Sequence, residues 1–297
     1  MERGKGVKSL KKVLADNPKF VMLDMSQINS FETCHRKYWY VYRKHLSDPV
    51  GPGALFSSMF LHPLLSRWYE SQGSPIPDST ITKTFKLFAA AVVSNGNSIR
   101  GADEYSRDYA TLAMTNYIRA YDQDFVMYSV ESCEEVYWAT IPGMPGFVFV
   151  SKPDLVLSQR SNKQLVTVDF KASKYEFNRT LIPFDRQFIG QAVVVGAKFM
   201  MKNFLHLSTN HGNVICYRDF IPIDDDLVAE WKAELIVTLK EFELTQQSDI
   251  WVKRSPQGCY PFPNVQCSFM NYCTLGSARH KMIEQAEKVN NLSYLGL

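Results

Sequence analysis

The amino-acid sequence predicts a mixed α/β protein whose core follows a helical N-terminal elaboration. Apolar residues recur at helical intervals through most of residues 25–125. The composition then changes to three runs that are rich in β-branched and aromatic residues and are joined by short turns containing Pro-Gly or Ser-Asn. A further helix, another strand and a long amphipathic helix follow, and this order is typical of a sheet flanked by helices.

The helical region starts with a helix that has Ser26 as its expected N-cap. Apolar positions from Ile28 to Val41 recur at helical intervals, and Gly-Pro-Gly at residues 51–53 ends the helix. Three further helices are predicted at residues 54–72, 79–95 and 103–123.

Antiparallel β-strands are predicted next, at residues 134–141, 146–158 and 164–173. The last three elements are a helix at residues 183–202, a strand at 213–223 and an amphipathic helix at 225–247. Asp224 or Asp225 caps this final helix, because a side-chain oxygen before the first turn accepts a backbone N–H.

Composition and charge narrow the class of protein. The 297 residues are 45% hydrophobic and carry a net charge of +3, which excludes a disordered chain, a collagen-like repeat and a disulfide-stapled scaffold. No run approaches the roughly 20 apolar residues of a membrane span. The basic first 20 residues lack the apolar core of a secretion signal. We therefore expect a cytoplasmic protein of a bacterial or phage-infected cell, with reduced thiols and no membrane partner.

Basic residues and cysteines are concentrated towards the two ends of the chain. Residues 1–50 have a local charge of +5, residues 251–297 of +3 and the residues between them of −5. This pattern suits phosphate contacts around a metal site, although chance clustering on a solvated surface explains it equally well. Cys34 is near the start, and three cysteines are near the end as C-x7-C-x5-C. Their clustering suggests metal or iron–sulfur ligation, with scattered core cysteines as the alternative, whereas Cys133 and Cys216 lie in apolar stretches typical of buried thiols.

The predicted hairpin at residues 151–173 brings together the residues that carry chemistry. Residues two apart share a face of a strand, so Asp169 and Lys171 lie on one face, while Val168 and its apolar neighbours face the core. Fourteen residues separate Asp154 from Asp169, a spacing that returns the second carboxylate beside the first. Adjacent carboxylates repel unless a cation lies between them, and their hard oxygen atoms suit Mg²⁺ or Mn²⁺. The alternative is an Asp–Lys pair on a solvent-facing strand.

Five segments in this order resemble the PD-(D/E)xK nucleases, and more narrowly the RecB-type branch with an iron–sulfur cluster found in phage, AddB-like and CRISPR-adaptation nucleases. They are the opening S-Q-I-N-S-F-E-T-C-H-R-K-Y-W-Y helix, the L-F-S-S-M-F-L-H helix, the P-D-(14 residues)-D-x-K hairpin, the R-Q-F-I-G-Q-A helix and the C-terminal cysteines. The resemblance implies a restriction-endonuclease-like α/β fold. Such a fold has a mixed β-sheet core flanked by helices, here with an N-terminal helical elaboration and a C-terminal segment joined by a metal cluster.

The same resemblance implies four regions and a set of site residues. The regions are a basic arm at residues 1–24, a helical region at 25–125, a nuclease core at 126–250 and a cluster segment at 251–297. The metal ligands would be His62, Asp154, Asp169 and the backbone carbonyl of Phe170. The catalytic residues would be Asp154, Asp169, Lys171 and Gln187. Lys171 would orient the attacking water or stabilise charge, and Gln187 would bond near the lysine or the substrate; a packed His62 and a solvent-exposed Gln187 are the alternatives.

The cysteines and basic residues receive roles in the same way. Cys34, Cys259, Cys267 and Cys273 would ligate a [4Fe–4S] cluster, or Zn²⁺ instead. Such a site would hold the two basic ends of the chain beside each other, because loop-closure cost grows only slowly with loop length. The residues that could then follow a phosphate backbone are Arg36, Lys37, Arg43, Lys44, Lys253 and Arg254. The aromatic residues at 38–42 could stack on unpaired bases or belong to the core.

Three positions depart from the motifs of this branch. Ser58 stands in place of a glycine, Gln191 stands in place of a tyrosine, and Pro63 disfavours helical geometry for His62. None of these departures removes an expected metal ligand.

The sequence therefore predicts a metal-dependent deoxyribonuclease, an exonuclease that hydrolyses phosphodiester bonds of single-stranded DNA ends in recombination, repair or genome processing. No P-loop motif is present, so a helicase or another recombination protein would have to supply unwinding. The alternative is a catalytically inactive nucleic-acid-binding or scaffold protein that keeps the nuclease fold.

Overall fold

The computed structural model describes residues 1–46, 55–94, 107–173, 185–207, 214–252, 256–260 and 266–274. The chain forms two compact units, neither of which is continuous in sequence. The first unit comprises residues 1–49, 138–151 and 229–297, and the second comprises residues 50–137 and 152–228. Within the described ranges, no helix combines the length and the apolar character that a membrane span requires.

The strands of the described residues form two sheets. In chain order they are β1 (Arg3–Lys5), β2 (Val21–Leu23), β3 (Tyr128–Cys133), β4 (Tyr137–Ile141), β5 (Met144–Ser151), β6 (Leu155–Gln159), β7 (Leu165–Ser173), β8 (Phe199–Leu207) and β9 (Val214–Pro222). The four-stranded sheet has the order β1-β4-β5-β2, and the five-stranded sheet has the order β3-β6-β7-β8-β9.

Helices of the described residues flank both sheets. They are α1 (Val7–Asp16), α2 (Met25–Thr33), α3 (His35–Tyr38), α4 (His62–Glu70), α5 (Asp78–Ser94), α6 (Arg107–Tyr121), α7 (Asp124–Met127), α8 (Arg186–Val195), α9 (Asp225–Ser248), α10 (Pro256–Cys259) and α11 (Met270–Thr274). A π-helical turn at Trp39–Arg43 extends α3, and another at Ser57–Leu61 precedes α4. The predicted α/β fold class with a mixed sheet is confirmed.

In the first unit, aromatic residues of α9 pack against the four-stranded sheet. The ring of Trp231 makes an edge contact with that of Phe149, with ring centroids 5.3 Å apart, and Phe242 contacts Phe147 at 6.0 Å. β2 pairs in parallel with β5, so that Val21 lies opposite Phe147. These contacts bury one side of a sheet whose outer strands have only three residues each.

In the second unit, each face of β7 meets a different layer of helices. Val166, Val168 and Phe170 are at most 1% exposed and belong to a core shared with α4, α5 and α6, as their alternation predicts. The opposite face carries Asp169, which is only 4% exposed, and packs against Phe188 of α8. Because Asp169 is buried, the alternative of a solvent-facing Asp–Lys pair does not hold.

The first predicted helix differs from the structure at its start and in its middle. Asp24, not Ser26, is the N-cap of α2, and its side chain accepts a hydrogen bond of 2.8 Å from the backbone N–H of Gln27. The helix breaks at Cys34, whose backbone is extended (φ −165°, ψ 112°). Asp and Ser cap helices about equally well, so the sequence alone does not separate them. The predicted break at residues 51–53 lies outside the described residues.

The predicted helix at residues 183–202 is wrong in its second half. Gly196, with a φ of +80°, ends α8, and Phe199 begins β8. A central strand that is buried on both faces has no alternating pattern, so periodicity does not distinguish it from a helix. The predicted strand at 146–158 is two strands, β5 and β6, and the sequence missed β1, β2 and β3. The expected cap Asp224 is confirmed, because it accepts the N–H of Leu227 at 2.7 Å.

His62 begins α4 in spite of the proline that follows it. Its backbone has helical dihedral angles (φ −57°, ψ −47°), contrary to the bias that Pro63 imposes. Pro63 occupies the first turn of α4, and the π-helical turn Ser57–Leu61 leads into that turn without a break in helical geometry. π-helical turns are frequent at functional sites.

A buried hydrogen-bond network joins α4, α6 and α7 to β8 and β9. Arg218 donates to the two carboxylate oxygens of Asp124 at 2.7 and 2.8 Å and to Asn203 at 2.6 Å. Tyr69 donates to Asp124 at 2.6 Å. The hydroxyl of Tyr117 lies 2.9 Å from that of Tyr69 and accepts from Asn203 at 2.7 Å. Every member of the network therefore has a partner, which makes its burial tolerable.

Removing the Arg218 guanidinium should destabilise the second unit, because Asp124 would become a buried charge without its partner. We expect Arg218→Met to lower the free energy of unfolding by about 3–5 kcal/mol, measured by urea denaturation. Lys198→Met removes a lysine that is 60% exposed, and it should leave stability unchanged as the matched control. A loss below about 1 kcal/mol in Arg218→Met would contradict this role of the network.

Candidate active site

Asp154 lies at the point where the chain enters β6, and its carboxylate is held from two sides. The antiparallel register pairs Leu155 with Val168, so Asp154 arrives beside the middle of β7. Its Oδ2 accepts a hydrogen bond of 2.7 Å from the backbone N–H of Phe170, and its Oδ1 lies 3.2 Å from Nδ1 of His62. Burial raises the pKa of Asp154, but His62 and the Phe170 N–H outweigh burial, so that its pKa is below the usual value.

His62 reaches the same point from α4. Its Nε2 lies 3.0 Å from the carbonyl oxygen of Phe170 and 3.2 Å from Oγ of Ser57. Burial lowers the pKa of His62, but the neighbouring Asp154 carboxylate helps to raise it by more than burial lowers it. The net pKa of His62 is therefore above the usual value. Both ring nitrogens thus face oxygen acceptors, an arrangement that favours the protonated imidazolium as long as no metal ion is bound.

Asp169 and Lys171 extend from one face of β7, as the hairpin predicts. Nζ of Lys171 lies 3.2 Å from Oδ1 of Asp169. Burial raises the pKa of Asp169 to about 6; Lys171 lowers it and Asp154 raises it. Burial lowers the pKa of Lys171, but Asp169 and Asp154 raise it more, so this lysine is a protonated ammonium at neutral pH.

Glu134 is an acidic residue that the sequence did not single out. Ligand atoms of His62, Glu134 and Asp154 all lie within 4.8 Å of one another. The backbone N–H of Glu134 donates to the carbonyl of Asp154 at 3.1 Å, and its carboxylate pairs with Lys152 at 2.7 Å. The sequence contains no local pattern that identifies Glu134, because it is the pairing of β3 with β6 that brings it into contact with Asp154, 20 positions away.

These residues fit a hard divalent cation. Nδ1 of His62 lies beside Asp154 and its Nε2 beside the Phe170 carbonyl, and Glu134 offers a further ligand atom within 4.8 Å of those of His62 and Asp154. Oδ2 of Asp169 is buried and has no hydrogen-bond partner among the described residues. A buried carboxylate oxygen without a donor is costly unless a cation completes its surroundings. The acidic cluster is therefore a candidate metal site.

The two glutamines of α8 have different surroundings. Gln187 is half-buried in the first turn, where its backbone N–H donates to the N-cap Asp185 at 3.1 Å. Gln191, one turn later, is buried and lines a small pocket together with Thr167 and Asp169. The side-chain amide in the pocket beside Asp169 is thus that of Gln191, at the position where the family motif has a tyrosine.

Three segments of the first unit bring together the four cysteines near the two ends of the chain. Cys34 lies between α2 and α3, and Gly258 packs so closely that a Cβ there would be 3.4 Å from Cβ of Cys34. The backbone N–H of Cys267 donates to the carbonyl of Cys259 at 2.8 Å. Sγ of Cys273 is 4.0 Å from the hydroxyl of Tyr40, which lies in the helical turn after α3.

The remaining cysteines belong to the second unit. Cys133 and Cys216 are half-buried and pack against its core. Burial raises the pKa of the Cys133 thiol to about 12 and that of Cys216 to about 11, so both are protonated and unreactive at neutral pH.

The basic residues near Cys34 pack on aromatic rings and backbone. Arg36 donates from Nε to the carbonyl of Trp251 at 2.7 Å, and the Arg43 guanidinium lies 6.0 Å from the centroid of the Trp251 ring. The Lys44 ammonium lies 4.8 Å from the ring of Trp39, and Lys37 is half-buried. Lys253 and Arg254 lie outside the described residues. Tyr38 and Tyr40 are core residues, whereas Trp39 and Tyr42 are half-buried.

One protein family matches the chain over the residues that form the acidic site. Residues 23–187 match the family model described as the PD-(D/E)XK nuclease superfamily. Among solved structures, SSO0001 is 11% identical over 61% of this chain and 88% of its own, with a TM-score of 0.28. LHK-Exo, solved in complex with dAMP, is 16% identical over 62% of this chain and 97% of its own, with a TM-score of 0.29. No curated protein matches the chain. Because the family match spans more than half of its residues, the protein belongs to the PD-(D/E)XK nuclease superfamily.

Proposed function

We propose that this protein is a divalent-metal-dependent deoxyribonuclease, an exonuclease that hydrolyses phosphodiester bonds at single-stranded DNA ends. The observation that carries the proposal is the convergence of His62, Asp154 and the Phe170 carbonyl beside the Asp169–Lys171 pair. The single-strand preference and a role in recombination, repair or genome processing are inferred from the motif resemblance.

Asp154, Asp169, His62 and the backbone carbonyl of Phe170 would hold Mg²⁺ or Mn²⁺, with Glu134 as a neighbouring carboxylate. When bound, the cation polarises the scissile phosphate and offsets the charge that develops on it. The Phe170 N–H orients Asp154, because its hydrogen bond fixes one carboxylate oxygen and leaves the other directed towards His62.

The protonation state of Lys171 restricts the chemical roles that are open to it. A protonated ammonium donates hydrogen bonds but accepts no proton, so at neutral pH it does not act as a general base. We assign it to orienting the attacking water by hydrogen bonding and to stabilising negative charge in the transition state. Its contact with Asp169 holds it in place for both tasks.

The partner in this proposal is DNA, contacted through the basic residues near the two ends of the chain. The residues concerned are Arg36, Lys37, Arg43, Lys44, Lys253 and Arg254. Their net positive charge would attract a phosphate backbone in a salt-dependent manner. Unwinding would come from a helicase or another recombination protein.

The cysteines Cys34, Cys259, Cys267 and Cys273 are proposed to ligate a [4Fe–4S] cluster, with Zn²⁺ as the alternative. Support comes from the proximity of Gly258 to Cys34 and from the hydrogen bond between Cys267 and Cys259. A metal group at this place would stabilise α10 and α11, which at four and five residues are too short to be stable helices alone.

Loss of either charged residue of the Asp169–Lys171 pair should abolish or strongly reduce cleavage. We expect Asp169→Ala to be inactive and Lys171→Ala to lose about 10²–10³-fold in rate, because it removes a donor to developing charge. The measurement is release of labelled nucleotides from single-stranded DNA with Mg²⁺ or Mn²⁺, and Lys198→Ala is the control.

Cleavage at full rate in both variants would refute this assignment of the catalytic residues. DNA binding without cleavage in the wild type, across several divalent metals, would favour a non-catalytic nucleic-acid-binding or scaffold protein. The observation that favours this second function is Gln191, which stands where the motif has a tyrosine.

Removal of the His62 imidazole should weaken binding of the divalent cation. We expect His62→Ala to lower the affinity for Mn²⁺ by at least about tenfold, because even outer-shell changes cost 10–100-fold. The measurement is calorimetric titration of protein that is freed of loosely bound divalent cations and keeps the metal group proposed at its cysteines. His45→Asn is the control, since His45 is exposed and has a positive φ of 55°, which Asn tolerates. Equal affinity in His62→Ala and the wild type would exclude His62 as a ligand.

The cysteine site can be tested by colour and metal content. We expect anaerobically purified wild type to be brown and to contain iron, and we expect Cys34→Ser to lose both colour and iron. Cys216→Ser should keep them, because Cys216 packs against the core of the second unit. Colourless wild-type protein with one zinc ion per chain would refute the iron–sulfur assignment.

A further inference from the structure

Lys202 is a second lysine beside Asp169, on a strand that the sequence does not predict. In the parallel pair of β7 and β8, Asp169 is in register with Lys202. Residues in register on neighbouring strands point to the same face of the sheet. The Lys202 side chain is 2% exposed, whereas that of Lys171 is 38% exposed. Lys202 thus faces Asp169 from the interior of the unit.

The ammonium group of Lys202 lies among carboxylates and aromatic rings. Its Nζ is 3.7 Å from Oδ2 of Asp185, the N-cap of α8. It is 3.6 Å from the centroid of the Phe188 ring and 5.0 Å from that of Phe204. Burial lowers the pKa of Lys202 to about 8, while Asp169 and Asp185 act in the opposite direction. Lysines are almost never this deeply buried unless they are paired with opposite charge.

Asp169 has the complementary requirement for a positive charge. It is buried close to Asp154, a second carboxylate that repels it. Lys171 contacts only its Oδ1 atom. Its other oxygen, Oδ2, is buried and has no hydrogen-bond partner among the described residues, so Lys171 does not compensate the whole carboxylate.

We propose that Lys202 is a positioning residue that acts as an internal counter-ion of Asp169 and Asp185 and thereby limits how tightly the acidic site binds a divalent cation. The inference rests on the proposed metal-dependent nuclease function. Lys202 and a bound dication compete for the same carboxylate and repel each other. In the absence of the dication, the lysine offsets the negative charge of Asp169 and holds its side chain in place, so the site stays assembled between turnovers.

If Lys202 is a counter-ion, its removal should tighten binding of the dication, whereas removal of a purely structural lysine would not. Without Lys202 the site has one more uncompensated negative charge, which favours a dication. A lysine that merely packed on Phe188 would, when removed, loosen the ligands and weaken metal binding.

Mn²⁺ binding to the full chain tests the proposal. It is measured at neutral pH by calorimetric titration of protein that is freed of loosely bound divalent cations and keeps the metal group proposed at its cysteines. We expect Lys202→Met to bind Mn²⁺ at least about threefold more tightly than the wild type. Asp185→Asn removes one negative charge and keeps a good N-cap, so it should weaken binding by a similar factor. The double variant, Lys202→Met with Asp185→Asn, should return close to the wild-type affinity. Lys198→Met, the same substitution at an exposed site four residues earlier, should have no effect.

Unchanged or weaker Mn²⁺ binding in Lys202→Met would overturn the proposal. If Lys202→Met does not fold, Asp185→Asn decides, and unchanged or tighter binding in that variant overturns the proposal equally. A wild type that binds Mn²⁺ but cleaves no DNA would contradict the proposed nuclease function and leave the comparison of affinities intact. A wild type that cleaves DNA, with equal Mn²⁺ affinity in every variant, would overturn the role of Lys202 alone.

Discussion

The second unit depends on how it compensates two carboxylates, Asp154 and Asp169, that are buried together. Buried charges are tolerated only where opposite charges or hydrogen bonds offset them. The His62 ring and the Phe170 N–H offset Asp154, and Lys171 contacts Asp169. These partners come from α4 and β7, while Asp154 itself precedes β6. One electrostatic requirement thus fixes the relative positions of a helix and two strands, and the same requirement leaves a place for a divalent cation.

Phe170 connects this site to the hydrophobic core. Its main chain donates to Asp154 and presents its carbonyl to His62. Its ring lies 6.1 Å from the ring of Tyr69 and 5.8 Å from that of Tyr117, and both tyrosines belong to the buried network around Arg218. Aromatic packing and the candidate metal site are therefore not independent, because a shift of the Phe170 ring would also move the carbonyl and the N–H that contact His62 and Asp154.

The two units carry different chemistry. The proposed metal ligands and Lys171 all belong to the second unit, whereas the four cysteines proposed as cluster ligands all belong to the first. The first unit is assembled from three chain segments and includes very short helices near the C-terminal cysteines. Segments of this kind have little local stability. A shared group at the cysteines would supply the tertiary link that they need, independently of the acidic site.

The sequence by itself determined the β6–β7 hairpin with Asp154, Asp169 and Lys171, because alternation and a short turn place these residues through contacts local in the chain. It also determined the burial of Val166, Val168 and Phe170. Only the tertiary structure decided that β8 follows α8, since a strand buried on both faces has no alternating pattern. Glu134 and Lys202 reach the site through β3 and β8, whose pairing with distant strands has no local signature. For this reason the second lysine beside Asp169 became visible only in the folded chain.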